Sequence, residues 1–125
     1  MSAPANDTRS SYARIKSMRS PATVAALDAL VQYRSLSPDP RDPDHAPTLK
    51  RLQTAYTDAA QADGSFFAAL ADERDGFAEK QEAYALDYPD HAESYLAKAA
   101  RFREGAQEAR DQLAEVLAPA MLDAA

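Results

Sequence analysis

The second half of this 125-residue chain repeats its larger side chains at alternating steps of three and four residues. One series runs from Leu49 to Tyr84 and another from Tyr95 to Ala120, and the sequence Tyr88-Pro89-Asp90 separates them. Side chains with this spacing lie on one face of an α-helix, and a repeat near 3.5 residues is typical of left-handed coiled coils. So short a break folds the second helix back along the first. The pattern therefore predicts an all-α chain built on a long antiparallel, coiled-coil-like helical hairpin.

Proline and capping residues predict where the two long helices begin and end. We predict the first over about residues 46–87 and the second over about 91–117, with a continuation past Pro119 after a kink. Asp90 and Glu93 have the spacing of a capping box, in which each side chain accepts a hydrogen bond from a free amide at the helix start.

The pair Asp63-Gly64 is a loop signal inside the first long helix. The three-four repeat nevertheless keeps its phase across this pair. We therefore expect one continuous helix that bends at Gly64, and the alternative is a turn at residues 62–65.

The short break also sets the register of the hairpin. Counting outward from it places Tyr84 opposite Tyr95 and Phe77 opposite Phe102, with Gly76 beside Phe102 to leave room for the ring. The large side chains on the seam between the helices are predicted to form the core. They are Tyr56, Phe66, Leu70, Phe77, Tyr84, Tyr95, Phe102, Leu113 and Val116.

The N-terminal part has a different character. Ser20-Pro21 predicts a helix start, because serine caps free amides and proline fits the first turn. An amphipathic helix is expected over about 21–35, with Val24, Leu27, Leu30, Val31 and Arg34 on one face, and residues 9–19 could form a short helix before it. Four prolines within 36–47 exclude a helix there.

The chain is thus expected to have two parts. Residues 1–47 form a basic arm, a short helix and a proline-rich connector, and residues 48–125 form the helical hairpin.

Composition indicates that the core of this hairpin is thin. Alanine supplies 29 residues, whereas Leu, Ile, Val and Phe together supply 19. Alanine favours helices but buries little apolar area, and Asp63, Glu73 and Lys80 interrupt the seam. We therefore expect the missing burial to come from self-association or from another protein. Candidate partner-surface residues are Phe67, Tyr88, Leu96, Leu117 and Met121.

Charge is distributed unevenly along the chain. Residues 1–34 carry five basic and two acidic side chains, and the remainder carries nine basic and 18 acidic ones. The basic arm comprises Arg9, Arg14, Lys16 and Arg19. It could dock on an acidic protein surface, or residues 9–35 could contact nucleic acid, although the net charge of −6 argues against the second interpretation.

Residue patterns for chemistry are weak. The chain has no cysteine, its three glycines are isolated, and neither histidine belongs to a Glu-x-x-His pair. The tetrapeptide Pro-Asp-His-Ala occurs at 43–46 and at 89–92, where it is more typical of helix starts than of metal ligands. We therefore expect no enzymatic activity, no metal and no cofactor, and no motif carries a resemblance to a known family.

These patterns favour a non-enzymatic structural or interaction protein. It would form a homo-oligomer or a subunit of a larger assembly, such as a phage virion or another bacterial complex, through the hairpin and the N-terminal arm. The alternative is a small dimeric nucleic-acid-binding regulator that uses residues 9–35. Since no apolar run is long enough to span a bilayer, a cytoplasmic or virion location is expected.

Overall fold

The computed structural model describes the backbone of residues 11–124 and the side chains of residues 12–119. This part of the chain contains five α-helices and no β-strand, which confirms the predicted all-α class. The helices are α1 (Ser11–Met18), α2 (Pro21–Ser35), α3 (His45–Asp63), α4 (Ser65–Asp87) and α5 (Ala92–Ala124), and a 3₁₀ turn (Pro89–His91) joins the last two.

Helix α2 begins as its capping residues predict. The hydroxyl of Ser20 accepts a hydrogen bond from the amide of Thr23 at 3.3 Å, and Pro21 occupies the first turn. Of its expected apolar face, Leu30 is buried but Val24 and Val31 are exposed, and Thr23, which is not among the residues expected there, is buried. The buried face of α2 therefore points away from Val24 and Val31.

Helix α2 packs along α3 after a connector of turns. At the connector, the rings of Tyr33 and His45 stack with centroids 5.7 Å apart, and the Tyr33 hydroxyl lies 2.7 Å from His45 Nδ1. No helix forms over residues 37–44, which contain Pro38, Pro40 and Pro43. The expected non-helical segment nevertheless ends early, because Pro47 lies in the first turn of α3, where its missing N–H needs no partner. His45 begins α3, although the side chain of Asp44 makes no capping hydrogen bond.

The prediction of a continuous helix through Gly64 is wrong. Gly64 has φ = 87°, a left-handed conformation that ends α3, and α4 begins at Ser65. A Cβ atom at this position would lie 2.7 Å from Leu113 Cδ1, so both the backbone and the packing require glycine. One helix ends and the next begins on either side of Gly64, and we call this junction the elbow.

Helices α4 and α5 make the most extensive helix contact in the described chain. The ring centroids of Tyr84 and Tyr95 are 5.5 Å apart, and those of Phe77 and Phe102 are 5.3 Å apart. Both pairs confirm the register predicted from the short break.

The predicted continuation past Pro119 is present, and α5 extends to Ala124. Two other details of this helix pair differ from expectation. Asp90 lies inside the 3₁₀ turn and makes no capping hydrogen bond, so the capping box does not form. Gly76 has no neighbouring atom within 4 Å of a Cβ built on it, so it makes no room for the ring of Phe102.

Candidate interaction surface

Alanines form the buried contact between α4 and α5. They recur every seven residues on α4, and on α5 they are spaced by seven and then three residues. We call them the alanine seam: Ala71, Ala78 and Ala85 on α4, and Ala99, Ala106 and Ala109 on α5. Because alanine side chains are short, the two helix axes can approach closely, and larger neighbours are displaced to either side of the seam.

The seam divides the helix pair into two broad faces. Successive residues turn by about 100° around a helix axis, so Phe77 and Asp75 lie on opposite sides of Ala78. The same geometry on α5 places Phe102 on the side of Phe77 and Arg103 on the side of Asp75. We call the first side the aromatic face and the second the ionic face.

The ionic face holds a network of charged side chains. Asp75 accepts a hydrogen bond from Arg110 Nη1 at 2.8 Å and one from Arg103 Nη1 at 3.3 Å. Arg103 also donates to Glu82 at 2.8 Å, and this bond is the main cause of the raised pKa of the arginine. Opposite charges on α4 and α5 are thus paired with each other.

Helix α1 covers the ionic face near the elbow. Ile15 of α1 is buried, and with Met18 it lines a cleft of about 270 Å³ against Ala68, Ala71 and Leu113. This contact adds apolar packing to the ionic face of the α4–α5 pair.

The aromatic face has no comparable cover among the described residues. Phe77 is 40% exposed, Tyr84 is 42% exposed and Tyr88 is 54% exposed. The prediction that Phe77 and Tyr84 are core residues is therefore wrong, because the alanines occupy the interior and displace the rings outward. The other predicted seam residues, which are partly exposed, are Tyr56, Phe66, Leu70, Tyr95, Phe102, Leu113 and Val116.

An open cleft of about 400 Å³ lies at the elbow end of the aromatic face. Tyr56 of α3 forms one side, and residues of α4 form the other: Phe66, Ala69, Leu70 and Glu73. On α4, Phe66, Leu70 and Phe77 point to one side of the helix within a narrow angle, so the cleft continues into the aromatic face.

A carboxylate at the end of α3 fixes the elbow. Asp63 accepts hydrogen bonds from the Ser20 amide at 2.7 Å, the Thr23 hydroxyl at 2.6 Å and the Ser65 amide at 2.8 Å. It therefore caps α4 locally and also ties the start of α2 to the junction.

The surroundings of Asp63 favour its ionised form. Burial is the largest single influence and raises the pKa of the carboxyl group, but hydrogen bonds from Ser65, Thr23 and Ser20 outweigh it. Together they lower the pKa from 3.8 to about 2. Sequence analysis placed Asp63 on the seam as a residue that favours water. The Asp63-Gly64 pair in the sequence indicated a possible break in the helix. Nothing in the sequence indicated that Ser20 and Thr23 would donate hydrogen bonds to Asp63.

Arg74 adds a polar contact to the aromatic side of the seam. Its guanidinium donates a hydrogen bond of 2.8 Å to the backbone carbonyl of Gly105. A Cβ at Gly105 would lie 3.0 Å from the Arg74 side chain, so glycine permits this close passage of the arginine across α5.

The predicted partner-surface residues are not gathered on one face. Tyr88 belongs to the aromatic face, whereas helix geometry places Leu96 on the ionic side. Phe67 is partly buried and packs edge-to-face on Phe66 with centroids 5.5 Å apart. Leu117 is exposed near the end of the described side chains, and Met121 lies outside them.

The basic arm does not present its described cations together. Arg14 lines the cleft beneath α1, and the Arg19 guanidinium lies 5.6 Å from the centroid of the Tyr12 ring. Lys16 is exposed, and Arg9 lies outside the described residues. Arg14 and Arg19 are thus partly engaged within the chain.

Within the described residues, no group of three or more His, Asp or Glu side chains is placed to hold a metal ion. Nor does any helix there have the length and apolar character needed to cross a membrane. Comparison with protein-family models, with curated proteins and with solved structures gives no match.

Proposed function

We propose that this chain is a non-enzymatic structural or interaction protein that acts by associating with protein through the aromatic face of α4 and α5. In this proposal the two helices act as an antiparallel, coiled-coil-like hairpin that presents the face to its partner. One observation carries the proposal: large aromatic side chains are half exposed on one face, while alanines fill the interior.

The exposure of the rings on the aromatic face supports the same proposal. Large apolar side chains stabilise a fold in proportion to the area they remove from water. A partner on the aromatic face would complete the burial of Phe77, Tyr84 and Tyr88.

The composition of the aromatic face is also that of protein interfaces. Tyrosine, phenylalanine and arginine are enriched in interface cores. Aromatic rings bury much area and lose little side-chain entropy. Tyr84, Tyr95, Phe77, Phe102 and Arg74 supply these residue types along one side of the layer.

Site-specific photo-cross-linking tests this function. p-Benzoylphenylalanine in place of Tyr84 reports contacts of the aromatic face in native cells, and the same group in place of the exposed Glu79 is a matched control beyond that face. We expect a protein adduct from position 84 and little or none from position 79, with the adduct identified by mass spectrometry. Absence of any adduct from position 84, with the chain folded and present, would overturn the proposal.

A further inference from the structure

We propose that the aromatic face binds the same face of a second copy of this chain. The two copies are related by a two-fold axis that lies in the interface, between their α4 helices and level with Gly76, so that these helices cross antiparallel. This inference rests on the proposed function, association through the aromatic face, and names the partner.

Two charged residues on the aromatic face have no partner among the described residues, and their positions fit this two-fold symmetry. Glu73 and Lys80 are exposed and lie on the same side of α4 as Phe77. They are seven residues apart, roughly 10 Å along the axis, which is too far for a direct ion pair with each other. Neither forms an ion pair or hydrogen bond with any described residue, in contrast to the charges of the ionic face.

A two-fold axis midway between these charges makes them complementary. Each Glu73 then faces Lys80 of the second copy, and the contact occurs twice because the interface is isologous. Any parallel arrangement in register would instead place like charges opposite each other, which opposes association. The charge pattern therefore selects a self-complementary, antiparallel contact.

Gly76 lies at the position of this axis and at the midpoint of α4, Ser65–Asp87. Glycine is a poor helix former, and here φ is not left-handed and no atom lies within 4 Å of a built Cβ. Nothing inside the chain therefore requires glycine at this position. A second helix crossing here would use the missing side chain for a close approach.

The cleft at the elbow end of the aromatic face also fits this alignment of the two copies. With the axis beside Gly76, Tyr84 of the second copy lies opposite Ala69 and Leu70, which line the cleft. The cleft of about 400 Å³ is open and lined mainly by apolar and aromatic side chains, and so it has room for a tyrosine ring. The same insertion occurs at the other end of the interface by symmetry.

The area is sufficient for a stable dimer. A helix of 23 residues is about 34 Å long, and a layer of two helices is roughly 18–20 Å wide. The projected face is then on the order of 600 Å². This is comparable to the ~800 Å² of accessible surface that each partner buries in a standard interface.

Charge reversal tests the arrangement by specific rescue. The experiment measures molar mass by light scattering over a concentration series for the full chain. We expect the wild type to have twice the chain mass of 13.6 kDa. Glu73→Lys or Lys80→Glu alone should raise the dissociation constant at least tenfold, because each variant places like charges opposite each other at both ends.

Rescue is the decisive result. An equimolar mixture of the Glu73→Lys and Lys80→Glu chains should recover a one-to-one dimer, and so should the double variant in a single chain. Glu79→Lys, an equal charge change on the other side of α4, should leave the wild-type mass unchanged. Both charged positions are exposed, and circular dichroism verifies that each variant keeps its helices.

Three results would overturn the second copy as partner: a monomeric wild type, single variants that dimerise as well as the wild type, or a mixture that stays monomeric. The cross-link at position 84 separates this failure from failure of the proposed function. An adduct with a different protein would leave the function standing and exclude the dimer. Absence of any adduct would exclude both.

Discussion

On the ionic face of the α4–α5 layer, charged side chains pair with one another and α1 covers the end near the elbow. On the aromatic face, the same two helices present rings that remain half exposed and two charges without a partner among the described residues. Exposed ion pairs contribute little to stability, and they are compatible with water. Exposed aromatic rings leave apolar area in contact with water. A partner would therefore bury more apolar area on the aromatic face than on the ionic face.

The comparison teaches how alanine shapes such a layer. A seam of alanines closes the contact between the helices without using the large side chains. Aromatic rings that would normally fill a core are thereby moved to the surface on one face. In this chain a thin core and an apolar surface have a single structural cause.

The largest predicted effect concerns the elbow, on which both faces depend. Asp63→Ala removes three hydrogen bonds that join α2, α3 and α4. We expect a loss of about 2–4 kcal/mol in the free energy of unfolding, since the amides of Ser20 and Ser65 lose their acceptor. Urea unfolding followed by circular dichroism measures this loss. Asp58→Ala is the matched control, because Asp58 is exposed on the same helix; equal losses in both variants would contradict the role of Asp63.

Acid should weaken the elbow through the same carboxylate. The folded pKa of Asp63 is about 2, below the ordinary 3.8, so the unfolded chain binds this proton more readily than the folded one. The stabilisation from Asp63 is therefore complete above about pH 4–5 and is lost as pH falls towards 2. Unfolding measured from pH 6 to pH 2 should show the gap between wild type and Asp63→Asn narrowing over this range. A gap that stays constant would show that the carboxylate charge does not contribute.

An intermediate effect is expected on the aromatic face. Phe102→Ala removes a ring that packs 5.3 Å from Phe77. Full burial of phenylalanine contributes about 3–5 kcal/mol, and because this pair is partly exposed we expect a loss of about 1–2 kcal/mol in the isolated chain. A loss above this range in thermal unfolding at low protein concentration would mean that the aromatic face is part of the core and not a surface.

The smallest effect is expected on the ionic face. Arg110→Gln removes one exposed ion pair with Asp75, and such pairs contribute about 0.2–1 kcal/mol. The loss should shrink further at high salt, since salt screens exposed charges. Arg101→Gln, an exposed arginine without an ion pair in the described chain, is the control. If Arg110→Gln costs more than Phe102→Ala, the contrast between the two faces is wrong.

Much of the architecture could be predicted because it depends on residues close together in sequence. Ser20 and Pro21 start α2, three prolines keep residues 37–44 from forming a helix, and the short break after Asp87 sets the register that pairs Tyr84 with Tyr95. Each of these signals acts within a few residues, and so periodicity and capping rules are sufficient to find it.

The tertiary structure decided what depends on distant residues and on the rotation of each helix about its axis. Gly64 breaks the helix because Asp63 bonds to Ser20 and Thr23, some forty positions earlier, and because Leu113 packs against the glycine. Periodicity marks a stripe of aromatic rings but does not say whether the rings or the alanines about 100° away face the other helix. That choice follows from the close approach of α4 and α5 and from the position of α1, which the three-four repeat does not encode.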